Sequence, residues 1–180
     1  SVATSAPSNL CNDAGSLDLN NLVLSPEPGS WAITSSPTGT NPATLSGNLF
    51  DATGADPGDY QITYTIDLAP IPGCPDSSVQ TLTVFATPFA DVATNATVCN
   101  LSAQGSTLDF GTFVTAGDTG GSWADSDASG VDLSDPSNVD FDGLIAGTYT
   151  FTYTTNSATA PCNEQTYDIE ILVQDCACPS

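Results

Sequence analysis

Two equal cysteine intervals constrain this chain more than any other feature. Cys11 and Cys74 stand 63 residues apart, and so do Cys99 and Cys162. Between the members of each pair the same landmarks recur in the same order. Gly29-Ser30-Trp31 corresponds to Gly121-Ser122-Trp123, and Leu49-Phe50-Asp51 to Asp140-Phe141-Asp142. Gly58-Asp59-Tyr60-Gln61-Ile62-Thr63-Tyr64-Thr65 corresponds to Gly147-Thr148-Tyr149-Thr150-Phe151-Thr152-Tyr153-Thr154. The offsets between counterparts run only from 88 to 92, so insertions are confined to loops. Self-similarity at a fixed period means that one structural unit is built twice. The expected units are residues 1–87 and 88–174, divided near Ala86-Thr87-Pro88, with 175–180 as a junction to a following module.

The local period within each copy is that of strands. Tyr60, Ile62 and Tyr64 alternate with Gln61, Thr63 and Thr65, and Tyr149, Phe151 and Tyr153 alternate with threonines in the same way. Leu82 and Val84, and later Ile169 and Ile171, mark the last strand of each copy. Clusters of Gly, Pro, Asn, Asp and Ser break the chain every ~8–12 residues, the spacing of a β-sandwich. No segment holds a period of 3.6, so helices are expected to be single turns at most. Asp56-Pro57-Gly58-Asp59-Tyr60 resembles the lead into strand F of immunoglobulin folds, where the tyrosine hydroxyl ties a corner. Ala146-Gly147-Thr148-Tyr149 is a second instance without the Asp. The fold class is therefore all-β, as two tandem immunoglobulin-like β-sandwich domains. Trp31, Trp123 and the tyrosines read as core.

Six cysteines in such a chain point to an oxidising exterior. The equal intervals predict the staples Cys11–Cys74 and Cys99–Cys162, each joining a first strand to the loop before the last. The chain-entropy model gives each such closed loop roughly 3–4 kcal/mol. Cys176 and Cys178 lie outside both copies. They pair with each other within the junction, or they join a following module or a neighbouring subunit.

Charge excludes whole classes of function. The chain carries 21 Asp plus Glu and no Lys, Arg or His, a formal net charge of −21. Nucleic-acid binding depends on cationic side chains displacing counterions, and an anionic membrane surface repels such a chain. No run approaches the ~20 apolar residues of a membrane span. Without His, Lys or Arg there is no imidazole base, no Ser-His or Cys-His pair and no cationic oxyanion clamp. The chain is expected not to be an enzyme. Self-repulsion must be relieved by salt or bound metal, and the screening length falls to roughly 3–10 Å between 1 and 0.1 M salt. A saline exterior suits this composition. The absence of Met leads to the expectation of a processed form or an excised segment.

One acidic stretch has a ligand-like pattern. Asp125-Ser126-Asp127-Ala128-Ser129-Gly130 places oxygen ligands at alternate positions and Gly at the turn, as a calcium loop does. Pro136 stands where an EF-hand needs Glu. Asp125, Asp127 and Asp132 are the candidate Ca²⁺ ligands, with a solvated acidic loop as the alternative. The sequons at Asn95 and Asn100 read as chance matches.

The landmarks Cys11, Gly29, Trp31, Gly47, Phe50, Gly58, Tyr60, Tyr64, Gly73-Cys74 and Leu82-x-Val84, with their counterparts in the second copy, resemble Ig-like or PKD-like repeats of giant Bacteroidota surface proteins. The second copy departs in lacking the Gly before its Phe. That resemblance implies type IX secretion, a cell-surface location, and roles in adhesion, gliding or cell-capturing filaments. Its implied partners are other repeats of the same polypeptide, further copies in a homo-oligomeric fibre, other cells or glycans. The competing reading is a calcium-dependent carbohydrate-binding module using exposed aromatics.

Overall fold

The computed structural model describes residues 2–24, 27–68 and 72–177. The chain divides into two compact units, Ser1–Thr87 with Thr159–Asn163, and Pro88–Ala158 with Glu164–Ser180. Among the described residues every regular element is a strand or a short 3₁₀ turn. The architecture is all-β, a tandem of immunoglobulin-like β-sandwiches.

In the first unit the strands are β1 (Leu10–Cys11), β2 (Ser16–Asp18), β3 (Gly29–Ser35), β4 (Thr44–Ser46), β5 (Leu49–Asp51), β6 (Gly58–Ile66) and β7 (Ser77–Phe85). One sheet has the order β1-β7-β6-β3 and the other β2-β5-β4. β3, β6 and β7 are antiparallel neighbours, whereas β1 runs parallel to β7. Side chains at period two supply the shared core. Tyr60, Ile62, Tyr64, Leu82 and Val84 come from the larger sheet, Phe50 from the smaller, and Leu19 and Leu22 from the turn after β2. Burying each large apolar side chain contributes about 1.5–3 kcal/mol.

The second unit repeats this plan with β8 (Ala90–Val92), β9 (Asn95–Cys99), β10 (Thr107–Leu108), β11 (Val114–Gly117), β12 (Ser122–Asp125), β13 (Val139–Asp140), β14 (Gly147–Thr154) and β15 (Thr166–Gln174). Its large sheet has the order β12-β14-β15-β9, again with the first strand parallel to the last. Two short pairs, β10-β13 and β11-β8, replace the three-stranded sheet. Phe110, Val139, Phe141, Phe151, Ile169, Ile171 and Val173 form its core.

The repeated landmarks now have physical causes. Trp31 lies opposite Tyr64 across β3 and β6 at 5.1 Å between ring centroids, and Trp123 lies opposite Tyr153 at 5.0 Å. Each tyrosine ring leans over the glycine two residues before its tryptophan. A Cβ at Gly29 would stand 2.3 Å from the Thr65 carbonyl oxygen and 2.8 Å from the Tyr64 ring. At Gly121 the matching distances are 2.1 Å to the Thr154 oxygen and 2.6 Å to the Tyr153 ring. Gly-Ser-Trp is thus a packing motif. The Tyr60 hydroxyl donates to the Asp56 carbonyl at 2.8 Å, and that of Tyr149 donates to the Ile145 carbonyl at 2.9 Å. Both copies therefore form a tyrosine corner, including the one without the Asp.

The expected staples are corrected. Cys11 bonds Cys162, and Cys99 bonds Cys176; Cys74 is an exposed free thiol. Neither Cys11–Cys74 nor Cys99–Cys162 forms. The reason lies in the parallel first strand. Cys11 pairs with Phe85 and Cys99 with Gln174, at the far ends of β7 and β15. Cys74 and Cys162 precede the starts of those strands, ~25 Å of extended chain away, and a cystine needs Cα atoms ~4.4–6.8 Å apart. Cys176, expected to pair with Cys178 or beyond the junction, is taken by Cys99; Cys178 lies outside the described residues. Within the stretch expected as a junction, Cys176 is bonded to Cys99 of the second unit. The segment Thr159–Asn163, second-repeat by sequence, belongs to the first unit.

Tyr60 also accepts the buried Ala43 N–H at 3.2 Å, whereas the Tyr149 corner is exposed. Tyr60→Phe removes that acceptor and the corner bond together, and is expected to cost roughly 1.5–3 kcal/mol. Tyr149→Phe is expected to cost less than half as much. Urea unfolding of the two variants measures the difference.

Candidate functional site

With no cation in the sequence, every carboxylate must find its counter-dipole elsewhere. Eighteen of the 21 acidic residues are Asp and three are Glu. The short Asp side chain reaches backbone N–H groups two residues ahead in its own turn. Asp18, Asp51, Asp109, Asp118, Asp132 and Asp135 each accept from the N–H at that position, at 2.9–3.1 Å. On the outer sheet faces, threonine hydroxyls act as donors: Thr83 to Asp59 and Thr152 to Asp168, both at 2.6 Å. These bonds hold turns and cross-strand pairs without ion pairing.

The candidate calcium ligands obey the same rule. Asp125 ends β12; its Oδ1 accepts from Asp127 N at 3.2 Å, and its Oδ2 from Ser129 Oγ at 2.9 Å and Gly130 N at 3.1 Å. Asp127 Oδ2 turns to β14 and accepts from Thr150 N at 2.6 Å. Asp132 Oδ1 caps Ser134 N at 2.9 Å. Gly130, with φ of +87°, provides the turn that the sequence pattern implied. The D-x-D-x-S-G pattern thus builds a turn in which both Asp125 oxygens and one oxygen each of Asp127 and Asp132 accept from protein donors. Among the described residues, no three Asp, Glu or Cys side chains gather as a metal would need. In this geometry the three carboxylates face different donors.

Four carboxyls are held below the usual aspartate range by such donors. The causes are the Thr53 N–H for Asp51, the Asn156 N–H for Asp118, the Ser134 N–H for Asp132 and the Ser106 hydroxyl for Asp140. Their folded values lie below the unfolded one. Their stabilisation is therefore complete above about pH 4 and lost as pH falls through the folded values.

Trp31 is buried and Trp123 half-buried. Trp31 is 7% exposed, and Trp123 packs against Phe110, Phe113 and Tyr153. An open depression of about 260 Å³ next to Trp31 is lined by Asn20, Ser30 and Asn48. The Trp31 indole N–H and one Glu27 oxygen are buried without a hydrogen-bond partner.

The chemistry that the sequence could not place is sulfur chemistry. The Cys11–Cys162 cystine is buried, at 3% and 7% exposure, and spans 151 residues of chain. Cys99–Cys176 spans 77. By chain entropy, loops of these lengths contribute ~4–5 kcal/mol each. The register of β1 and β9 was the missing signal.

Cystine-bearing immunoglobulin-like modules in tandem are thus the class that fold and covalent chemistry define. No family model and no curated protein matches the sequence. Solved structures with a similar course of chain include the insect immune protein hemolin, at 16% identity over 96% of this chain and 45% of that one, with a TM-score of 0.46. Mouse cadherin-23 EC22-24 matches at 11% identity over 96% and 63%, with a TM-score of 0.41. Invasin, a bacterial integrin-binding protein, matches at 17% over 94% and 38%, with a TM-score of 0.44. The chain spans roughly half the length of these structures. Among the described residues no helix is long and apolar enough to cross a membrane.

Two measurements test the self-capped acidic surface. Adding Ca²⁺ is expected to raise the melting temperature no more than Mg²⁺ does at equal concentration; a calcium-specific rise would restore a metal site. In 0.5 M NaCl, where repulsion is screened, the melting temperature is expected to hold between pH 7 and about 4 and to fall below that. Asp118→Asn is expected to flatten the fall.

Proposed function

We propose that this chain is a load-bearing structural segment of a larger extracellular bacterial surface protein or filament that mediates attachment or capture. One observation carries the reading: the Cys11–Cys162 cystine makes residues 11–162 a covalently closed loop. Tension applied at the two ends bypasses that loop. Only the stretches Ser1 to Cys11 and Cys162 to Ser180 then remain free to extend. Such a bypass suits an anchor under shear.

Composition supports the same assignment. Cystines persist in oxidising exteriors, and Asp carboxylates satisfied by local N–H and O–H donors tolerate high salt. Other repeats of the same polypeptide are the natural partners, and further copies of the chain in a fibre are compatible with the charge once salt screens it. The carbohydrate-binding alternative loses support at Trp31, which is buried against Tyr64.

Single-molecule pulling on the oxidised chain tests the reading. The extensible route is about 28 residue steps, or ~100 Å, against ~630 Å for the full chain. The oxidised protein is expected to stop near the shorter length and reductant to release the longer one, while Cys162→Ser, which keeps the Cys99–Cys176 loop closed, is expected to stop at an intermediate ~360 Å. Full extension of the oxidised chain would remove the mechanical role.

A further inference from the structure

The cysteines occupy three equivalent positions in the two repeats, and the structure shows the equivalences directly. Cys11 and Cys99 end the first strand of the large sheet, paired with Phe85 and Gln174. Cys74 and Cys162 each close a short turn before the last strand, 88 residues apart. The third position comes just after the last strand and is held by Thr87 in one copy and Cys176 in the other. The backbone N–H of Thr87 donates to Asn12 Oδ1 at 2.9 Å, and that of Cys176 to Asn100 Oδ1 at 3.4 Å. Each asparagine comes immediately after its first-strand cysteine.

The two copies differ in this one residue and also in where the first-strand sulfur goes. With Cys176 in place, Cys99 closes on its own repeat. With Thr87 in place, Cys11 finds only a hydroxyl, 3.0 Å from its sulfur. It bonds instead to Cys162, the turn cysteine of the next repeat. Cys74 is the turn cysteine of the first repeat, and within this chain both first-strand cysteines are taken.

We propose that Cys74 makes the same bond one repeat earlier, to the first-strand cysteine of a preceding module of this type that carries no cysteine at its Thr87-equivalent position. The proposal rests on the reading of the chain as a segment of a repeat array. It makes the cross-linking directional. Each turn cysteine reaches back one module, and a cysteine at the third position ends the series, as Cys176 does here.

The bond needs an oxidant, a dithiol–disulfide oxidoreductase. The Cys74 thiolate attacks the oxidoreductase disulfide, forming a mixed disulfide and releasing one of its sulfurs as a thiolate. The partner thiolate then attacks the Cys74 sulfur and expels the second. The two thiols lose two protons and two electrons, and the oxidoreductase ends as a dithiol.

Mass spectrometry of the native full-length polypeptide tests this. It is alkylated without reduction and cut before Asp, which releases a Cys74 peptide beginning at Asp67. The expected finding is that peptide joined to a first-strand cysteine peptide from outside residues 1–180. An alkylated Cys74, or one joined to Cys178 or to a second Cys74, overturns the proposal while leaving the array intact. A parent polypeptide without preceding modules of this type overturns the array reading as well. The exchange rule is tested separately on the 180-residue chain with Thr87→Cys. The introduced cysteine is expected to capture Cys11 and to leave Cys162 alkylatable; persistence of Cys11–Cys162 overturns the rule.

Discussion

Parallel pairing between the first and last strands of each large sheet is the constraint from which the other features descend. Antiparallel β6 and β7 are consecutive in the chain, but β1 must cross the whole unit to run beside β7. That placement covers the edge of β7 and sets Cys11 beside Phe85, where the chain leaves the unit. The second copy does the same with Cys99 and Gln174. Once the first-strand sulfur is at that exit, its partner must lie later in the chain than the last strand, not in the turn that precedes it.

The core and the surface divide the remaining work cleanly. Inside, tyrosine serves as both filler and tie: Tyr64 and Tyr153 pack on a tryptophan, and their hydroxyls donate to the Glu27 and Asp118 carbonyls at 2.9 and 2.7 Å. Outside, aspartate and threonine replace the ion pairs that most proteins use. An aspartate that accepts from its own turn needs no long, entropically costly partner side chain. The chain remains a strong polyanion, so its stability is tied to ionic strength through repulsion that no internal cation offsets.

The acidic pattern at Asp125, Asp127 and Asp132 suits two chemistries. A cation loop and a self-capped turn both need short oxygen-bearing side chains at alternate positions and a glycine with positive φ. Spacing alone cannot distinguish them. What separates them is where each carboxylate points, and Asp127 turns to the β14 backbone, away from its neighbours.

Much of the fold was legible from side-chain alternation and duplication. Tyr60, Ile62 and Tyr64 announce a strand because period two is a local property, and Gly-Ser-Trp recurs because a ring must lie against bare backbone. The repeat count and the tyrosine corner at Tyr60 are equally local. The disulfide pairing was not local. Equal intervals of 63 residues report that Cys11 and Cys74 recur together, not that they meet. Their separation comes from the direction in which β1 lies against β7, a choice made between elements far apart in the chain. Tertiary structure alone decided which sulfurs became neighbours, because a strand's sequence states which face is buried but not which end its partner presents.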